Sequence, residues 1–482
     1  MVFQNDILAG SSGGSSASSV YKIDQSIRFN ASDYPKMTRT PSSAGNRRTF
    51  TLSTWIKRGA LSTDQVVFGS YINTTNYFLI YFDGTSHSTD NTFRVYEYNG
   101  NVLKFWVYGT QKFRDPSAWY HFVVSVDTTN AVSNERIRLY VNGSRITDLT
   151  QNQQPALNYE TYINSTNLQT IGEFYGNYYH FDGYMAEMHL LDGYAYDPSY
   201  FGLFNENGIW IPKEYSGSYG TNGFHIKGES ASDLGNDSSG NNNDFTTSGL
   251  ASHDQMVGES PTNNFAVLNT LDKGSNTTLA NGNIEFTSSN DGGVRSSVFF
   301  NADKYYIEAI VGTYGNAFSF GISNADRSLS ADAGTDLADF YGWYINPAQN
   351  WIASGSNPWN TGSNSASASK DVMQIAIDAS DPSSIKLFAG INNTYYNSSG
   401  GSDGNPSTGA NPTATITGSE EWSIGFWNRD ASASNIFVNF GQEGTFGGNK
   451  TAGGNSDAKG IGNFFYSVPT GFKALCTKNL GS

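Results

Sequence analysis

The sequence has little of what most function classes require. Its 482 residues hold one cysteine, Cys476, which excludes an internal disulfide and a cysteine-based zinc site. That cysteine usage suits a reducing compartment. The six histidines are scattered, without the close spacing of a metal-ligand set. No apolar run approaches the roughly 20 residues of a membrane helix, so no membrane insertion is expected. No P-loop, dinucleotide fingerprint or Ser-His-Asp arrangement stands out. Met1–Asp6 lacks the basic region and apolar run of a signal peptide, so the expected route out of a cell is lysis. Basic residues are few, 28 against 43 acidic, for a formal net charge of −15. That balance argues against a nucleic-acid-binding face and against docking on anionic lipid. It favours neutral or cation-bridged ligands.

Aromatic residues, by contrast, make up 14% of the chain, with 29 Tyr and 31 Phe, while charged residues are only 15%. A disordered chain has the reverse balance, so this one can bury a sizeable core. Its 52 glycines, with abundant Asn, Ser and Thr, serve turns. The expected class is all-β with long loops.

The pattern along the chain is strand, turn, strand. Phe50–Lys57 alternates apolar and polar residues, and Tyr77–Phe82 is rich in β-formers. Phe93–Tyr98 and Val102–Val107 flank Asn99-Gly100-Asn101, a hairpin signal. Trp119–Val126, Arg136–Val141 and Tyr184–Leu191 follow. Asp197–Phe201 reads as one helical turn. Strands resume near Asn283 and include Tyr305–Val311, Tyr341–Ile345, Val372–Ile377, Ile385–Ile391 and Trp422–Trp427. Polar low-complexity stretches, Ser354–Ser369 and Asn397–Pro412, interrupt them.

The expected organisation has a terminal peptide and flexible linker over 1–20, a first sandwich over 21–212, a turn-rich junction over 213–270 and a second sandwich over 271–482. A quasi-repeat supports two similarly built halves. Val124–Asp127, a polar turn, Ile137–Leu139 and Asn142-Gly143 parallel Ile375–Asp378, a polar turn, Ile385–Leu387 and Asn392-Asn393. Shared hairpin grammar is the alternative explanation.

Trp55-Ile-Lys57, Trp119–Val123, Leu139–Gly143 and Gly183–Glu187 occur in an order that resembles laminin-G-like, concanavalin-type jelly rolls. Lys304–Glu308, Phe320–Ile322, Tyr341–Tyr344, the Ile375–Asp378/Ile385–Leu387 hairpin and Val438–Gly441 resemble a SPRY domain. The resemblance implies two concanavalin-like antiparallel β-sandwiches (jelly rolls) in tandem. Phe3–Gly10, Ser238–Phe245, Ser260–Phe265 and Pro469–Leu480 extend it nearly end to end, toward structural proteins of tailed phages, marine and cyanobacterial ones especially. That resemblance implies a virion surface component, a tail fibre, spike or capsid fibre, assembled in bacterial cytoplasm. Its partners would be other virion proteins and a host-surface glycan, and a homo-oligomer, such as a trimer, is expected. A decoration protein acting only by protein contacts is the alternative, and a polysaccharide depolymerase is the weaker third.

No catalytic residues are expected. Glycosidases need two carboxyl groups about 5–10 Å apart. Glu187 and Asp192 are the nearest pair, but their odd spacing puts them on opposite strand faces. Glu308 stands alone in its strand, and Glu420 and Glu421 are adjacent and point apart. Trp351 and Trp359 lie in an expected loop with Asn360, where rings and amides suit a sugar. Tyr178 and Tyr179 form a second aromatic loop, which can equally seal a sheet edge. Asp233, Asn236, Asp237, Asn243 and Asp244 supply hard oxygen ligands for a calcium ion, or serve as turn formers without one. No cofactor is otherwise required. Phe3, Ile7 and Leu8 are the candidate contacts of a virion-attachment peptide ahead of the linker.

Overall fold

The computed structural model describes residues 21–480, except 85–89, 177, 314–316, 331–338, 346–349, 355–356, 361–369, 419 and 430–433, and except the side chains of 350–354, 357–360 and 434. The attachment residues Phe3, Ile7 and Leu8 therefore lie outside the described residues. The chain is all-β, and its strand ladders are antiparallel. Among the described residues the helical elements are four 3₁₀ turns, one of them Pro198–Tyr200, where the sequence predicts a single turn. None of these described residues forms a helix long and apolar enough to cross a membrane. Two compact units meet in sequence at Thr262 and Asn263.

The first unit is a sandwich of two eight-stranded sheets. One sheet centres on Thr49–Arg58 and Gly183–Asp192; the other runs through Gln65–Asn73, Asn76–Phe82, Thr92–Asn99 and Val102–Lys112. Strand alternation sorts the aromatics by type. In Tyr77–Phe82, Phe78, Ile80 and Phe82 are fully buried in the core between the sheets. Tyr77, Leu79 and Tyr81 cluster on the other face with Val66 and Tyr96. A phenol needs a partner for its hydroxyl, and a phenyl ring does not. Phe accordingly fills the interior, and Tyr coats the back of the sheet.

The turn-rich stretch expected as a junction is largely part of the first unit. Phe224–Ile226 pairs with Gly183–Asp192, Thr246–Ser248 with Lys36–Arg39, and Gln255–Val257 with Gln25–Phe29. Lys57 and Glu259, both fully buried, form an ion pair at 3.2 Å that fastens the end of this stretch. Short strands separated by Gly, Asn and Ser read as linker because each is only three residues long. The boundary belongs at Thr262.

The second unit has a seven-stranded and an eight-stranded sheet around a separate core that includes Trp343, Phe320, Phe426 and Ile375. Each unit closes on its own ends. In the first, Gln25 stands opposite Val257. In the second, Phe265 bridges Cys476, and the Ala266 N–H donates to the Leu475 carbonyl. Cys476 is fully buried.

The quasi-repeat is structural. Val124 stands opposite Leu139 in one hairpin, and Ile377 opposite Leu387 in the other. Asn142 and Gly143 have φ of 45° and 79°, and Asn392 and Asn393 have 48° and 66°. Two consecutive positive values mark the turn that matches strand twist. Each leading Asn is fastened alike. The Asn142 N–H donates to the His121 carbonyl, and its Oδ1 accepts from the His121 N–H. Asn392 makes the same two bonds with Val372.

Candidate functional site

The back of the Tyr-bearing sheet is a continuous aromatic surface. It starts from alternate positions on three neighbouring strands: Tyr77 and Tyr81, Tyr96 and Tyr98, Trp106 and Tyr108. Tyr77 stacks on Tyr98 at 5.4 Å and meets Tyr96 edge-on at 5.7 Å. Arg94 lies over Tyr108 at 4.3 Å and is paired with the buried Asp83. The loop after Leu168–Ile171 then lays more rings on top. Phe174 packs edge-on to Tyr71 and Tyr77, and Tyr175 lies flat on Tyr71. Tyr179 stacks on Phe174 at 5.8 Å. Backbone bonds between Phe174 and Tyr178 close the loop, and Lys36 anchors its base on Glu173 at 2.8 Å.

Exposure separates the roles. Phe174 and the sheet tyrosines form the bed, whereas Tyr175, Tyr178 and Tyr179 are 50%, 63% and 44% exposed. Sealing a sheet edge thus accounts for Phe174 but leaves three rings facing solvent. Burial raises the hydroxyls of Tyr96 and Tyr179 above the usual phenol range. They stay neutral at working pH and act as hydrogen-bonding groups, not charges.

The other aromatic candidates are differently built. Trp351 and Trp359 are not in a loop. They occupy a hairpin, Asn350–Ser354 with Asn357–Asn360, at the edge of the seven-stranded sheet of the second unit. Register sets Trp351 opposite Asn360 and Ile352 opposite Trp359. The two tryptophan positions therefore belong to opposite faces of the ladder, and Asn360 shares a face with Trp351 alone. The polar sequence around them hid the hairpin, since Asn, Pro and Ser are poor strand formers.

Asp237 is the hub of its turn. Its carboxylate accepts from the backbone N–H groups of His225, Ser239 and Asn243 and from the Ser239 hydroxyl. Asp244 caps the Asp237 N–H at 2.8 Å. The Asn243 amide donates to the Thr221 and Gly223 carbonyls. Asp233 and Asn236 are exposed. Turn formation thus accounts for the Asp237 oxygens that the sequence offers to calcium.

The carboxylates considered for hydrolysis are separate. Asp192 lies opposite Phe50 on the core side and accepts from Asn46, Asn164 and Asn222. Glu187 faces the other way. Glu308 is buried and accepts from the Tyr306 hydroxyl, the Asn439 amide and the backbone N–H groups of Phe465 and Tyr466. Burial pushes its pKa up to about 7 despite those bonds. Glu420 receives a 2.7 Å bond from Asn324, and Glu421 is exposed.

The scattered histidines conceal a second cluster. Between Ala186 and His189 the Gly183–Asp192 strand carries an extra residue against Thr54. This bulge holds Glu187 at a φ of 50°, a strained conformation for a long side chain. It also turns Glu187 to the outer face, beside His189. Strand pairing sets His225 directly across from His189, and their rings stack at 3.9 Å. The Glu187 carboxylate accepts from Tyr21 at 2.9 Å and His225 at 2.9 Å, with His189 at 3.5 Å. All three members are buried. Burial would raise the Glu187 pKa, but the hydrogen bonds and charges of His189 and His225 outweigh it and hold the group well below the carboxylate range. Burial, with His225 alongside, lowers His189 to about 4. Nothing local in the sequence links positions 187 and 225, which are 38 residues apart.

A family model described as the concanavalin A-like lectin/glucanases superfamily matches residues 30–195. The mouse laminin alpha1 chain, domains LG4-5, is 10% identical, covers 98% of this chain and 91% of that one, and has a TM-score of 0.29. Domain 4 of AbnA, an extracellular arabinanase from Geobacillus stearothermophilus, was solved with arabinotriose. It is 18% identical over 39% of this chain and 79% of its own, at a TM-score of 0.28. The SPRY domain of human HERC1 is 11% identical over 36% of this chain and 96% of its own, at 0.26. No curated protein sequence matches. The match to the concanavalin A-like superfamily thus lies within the first sandwich.

Proposed function

We propose that this chain is a non-enzymatic surface protein of a phage particle that binds host-surface glycan through the first sandwich. The observation that carries the binding role is the trio Tyr175, Tyr178 and Tyr179, held half-exposed on a bed of packed rings. Sugars stack their C–H faces on aromatic rings, and neutral hydroxyls nearby suit their polar edges. A rigid aromatic bed lowers the ordering cost of binding. Modest single sites gain by repetition on a particle. The phage assignment is supported by the sequence resemblance over 3–10, 238–245, 260–265 and 469–480, and attachment through Phe3, Ile7 and Leu8 goes with it.

The test is binding of the purified chain to a panel of bacterial surface polysaccharides and to host cells. Changing Tyr175, Tyr178 and Tyr179 together to Ala is expected to abolish binding without lowering Tm. Undiminished binding by that variant removes the tyrosine loop from the site. If the intact chain binds no glycan, but the variant fails to join particles, a decoration protein held by protein contacts is the better reading. Such exposed rings are also usual anchors of protein interfaces. Release of reducing sugar from any bound polysaccharide would overturn the non-enzymatic part.

A further inference from the structure

We propose that Glu187, His189 and His225 form a binding site for one divalent transition ion of the zinc class. The site is separate in chemistry and in residues from the tyrosine surface. Three features support it. First, the donor set of two imidazoles and one carboxylate is the kind that holds zinc with a fourth position left over. One ligand atom from each residue lies within 4.8 Å of the other two. Ligands bonded to zinc at about 2.0–2.1 Å in a tetrahedron sit about 3.3 Å from one another. The two nitrogen-to-carboxylate distances, 2.9 Å for His225 and 3.5 Å for His189, straddle that value. The rings are stacked with planes 22° apart, so binding requires them to rotate until both lone pairs converge on the ion.

Second, the outer hydrogen bonds favour ligation. His189 Nδ1 is 3.0 Å from the Tyr219 hydroxyl. With the proton on Nδ1 toward that oxygen, Nε2 presents its lone pair to Glu187 and His225. A fixed second nitrogen is the usual support of a metal-bound imidazole. His189 also lies within a sheath of Phe201, Tyr215 and Tyr219 rings, which excludes competing water.

Third, the polar groups converge on one point. Tyr21 Oη, His225 Nε2 and His189 Nε2 all approach the same oxygen, Glu187 Oε2. Tyr21 and His225 hydrogen-bond to that atom, whereas His189 Nε2 stands 3.5 Å from it. A cation among the three would take the lone pairs of both imidazoles and the carboxylate, with Tyr21 still donating to Glu187. The bulge that costs Glu187 a left-handed backbone is what brings it to this face. The site also borders a shallow crevice lined by Tyr21, Ser53, His121 and Lys213.

The experiment uses the full chain, stripped with a chelator and titrated with zinc by calorimetry. Cobalt(II) serves as a spectroscopic probe. The expected result is about one ion per chain, a higher Tm that chelation reverses, and visible d–d bands for cobalt. Glu187→Gln and His189→Gln should each abolish stoichiometric binding while keeping hydrogen-bonding capacity. Tyr219→Phe should weaken it about 10–100-fold, and His253→Ala should leave it unchanged. Absence of stoichiometric zinc and of cobalt bands in the folded wild-type chain overturns the site. So does retention of both by Glu187→Gln and His189→Gln, which would place the metal elsewhere.

Discussion

Tyr175 lies flat on Tyr71, with ring centroids 3.9 Å apart and planes 5° from parallel. Tyr71 belongs to the sheet and is 8% exposed, whereas Tyr175 belongs to the loop and is 50% exposed. One ring fixes the other, so the loop offers an immobilised aromatic surface and not a floppy one.

Tyr71→Ala should therefore weaken glycan binding although the residue is almost covered. The expected loss is about 2- to 10-fold, in line with the roughly 0.5–1.5 kcal/mol of an aromatic pair, with Phe restoring most of it. Titration of both variants against a bound polysaccharide checks this. Equal affinity for wild type and Tyr71→Ala would mean that Tyr175 needs no such support.

Glu259→Ala should unfold the first unit at much lower denaturant. It leaves the buried Lys57 ammonium without its partner and removes the 2.7 Å bond from the Trp119 indole. Breaking a buried pair by removing one member typically costs about 3–5 kcal/mol. Urea melts followed by tryptophan fluorescence measure it. A change below about 1 kcal/mol would mean that water replaces the carboxylate.

Glu308 predicts a pH slope in the second unit. Its folded pKa is about 7, raised from 4.5 by burial. Between those values the folded state holds more protons than the unfolded one, so stability falls as pH rises and levels off above about 7. The full effect is about 3 kcal/mol. Glu308→Gln should flatten this slope while lowering stability overall, because an amide donor faces the Phe465 or Tyr466 N–H. Tm measured from pH 4 to pH 8 in both proteins tests the difference. A wild-type stability that climbs through this range, with the variant parallel to it, would assign the titration to other groups.

Asp237→Ala should destabilise the first unit by about 1–3 kcal/mol, because it orphans buried donors. Calcium at millimolar levels should leave the wild-type Tm unchanged, since those oxygens already hold the turn. A calcium-dependent rise in Tm, lost in Asp237→Ala, would instead make this turn a calcium site.

Much of the fold was legible because strand alternation is local. The 50–57, 77–82 and 93–98 patterns, and the Asn-Gly turns at 99–101 and 142–143, needed only neighbouring residues. The Asn142 and Asn392 turns even kept the same backbone bonds in both units. What escaped was nonlocal. The three-residue strands of 224–257 carry no period, and only their partners make them strands. The aromatic surface was present as Tyr at alternate positions on three strands. It becomes one surface only when those strands lie side by side. The Glu187 cluster depends on an extra residue within a strand and on a histidine brought across by pairing. Neither leaves a local sequence mark. The loop expected around Trp351 and Trp359 is a hairpin for a related reason, since pairing and not local propensity makes its polar residues strands.

The pairing of Gln25–Ile27 with Gln255–Val257 bears on how the first unit would respond to load. Gln25 and Val257 are neighbours at one end of that antiparallel ladder. Tension applied at the two ends of the unit would open these bonds one after another, like a zip, and not shear them together. Glu259 lies between Val257 and the end of the unit at Thr262, so its buried pair with Lys57 must yield before the zip opens. Load through this unit would therefore meet the Lys57 latch first, with a yielding ladder behind it.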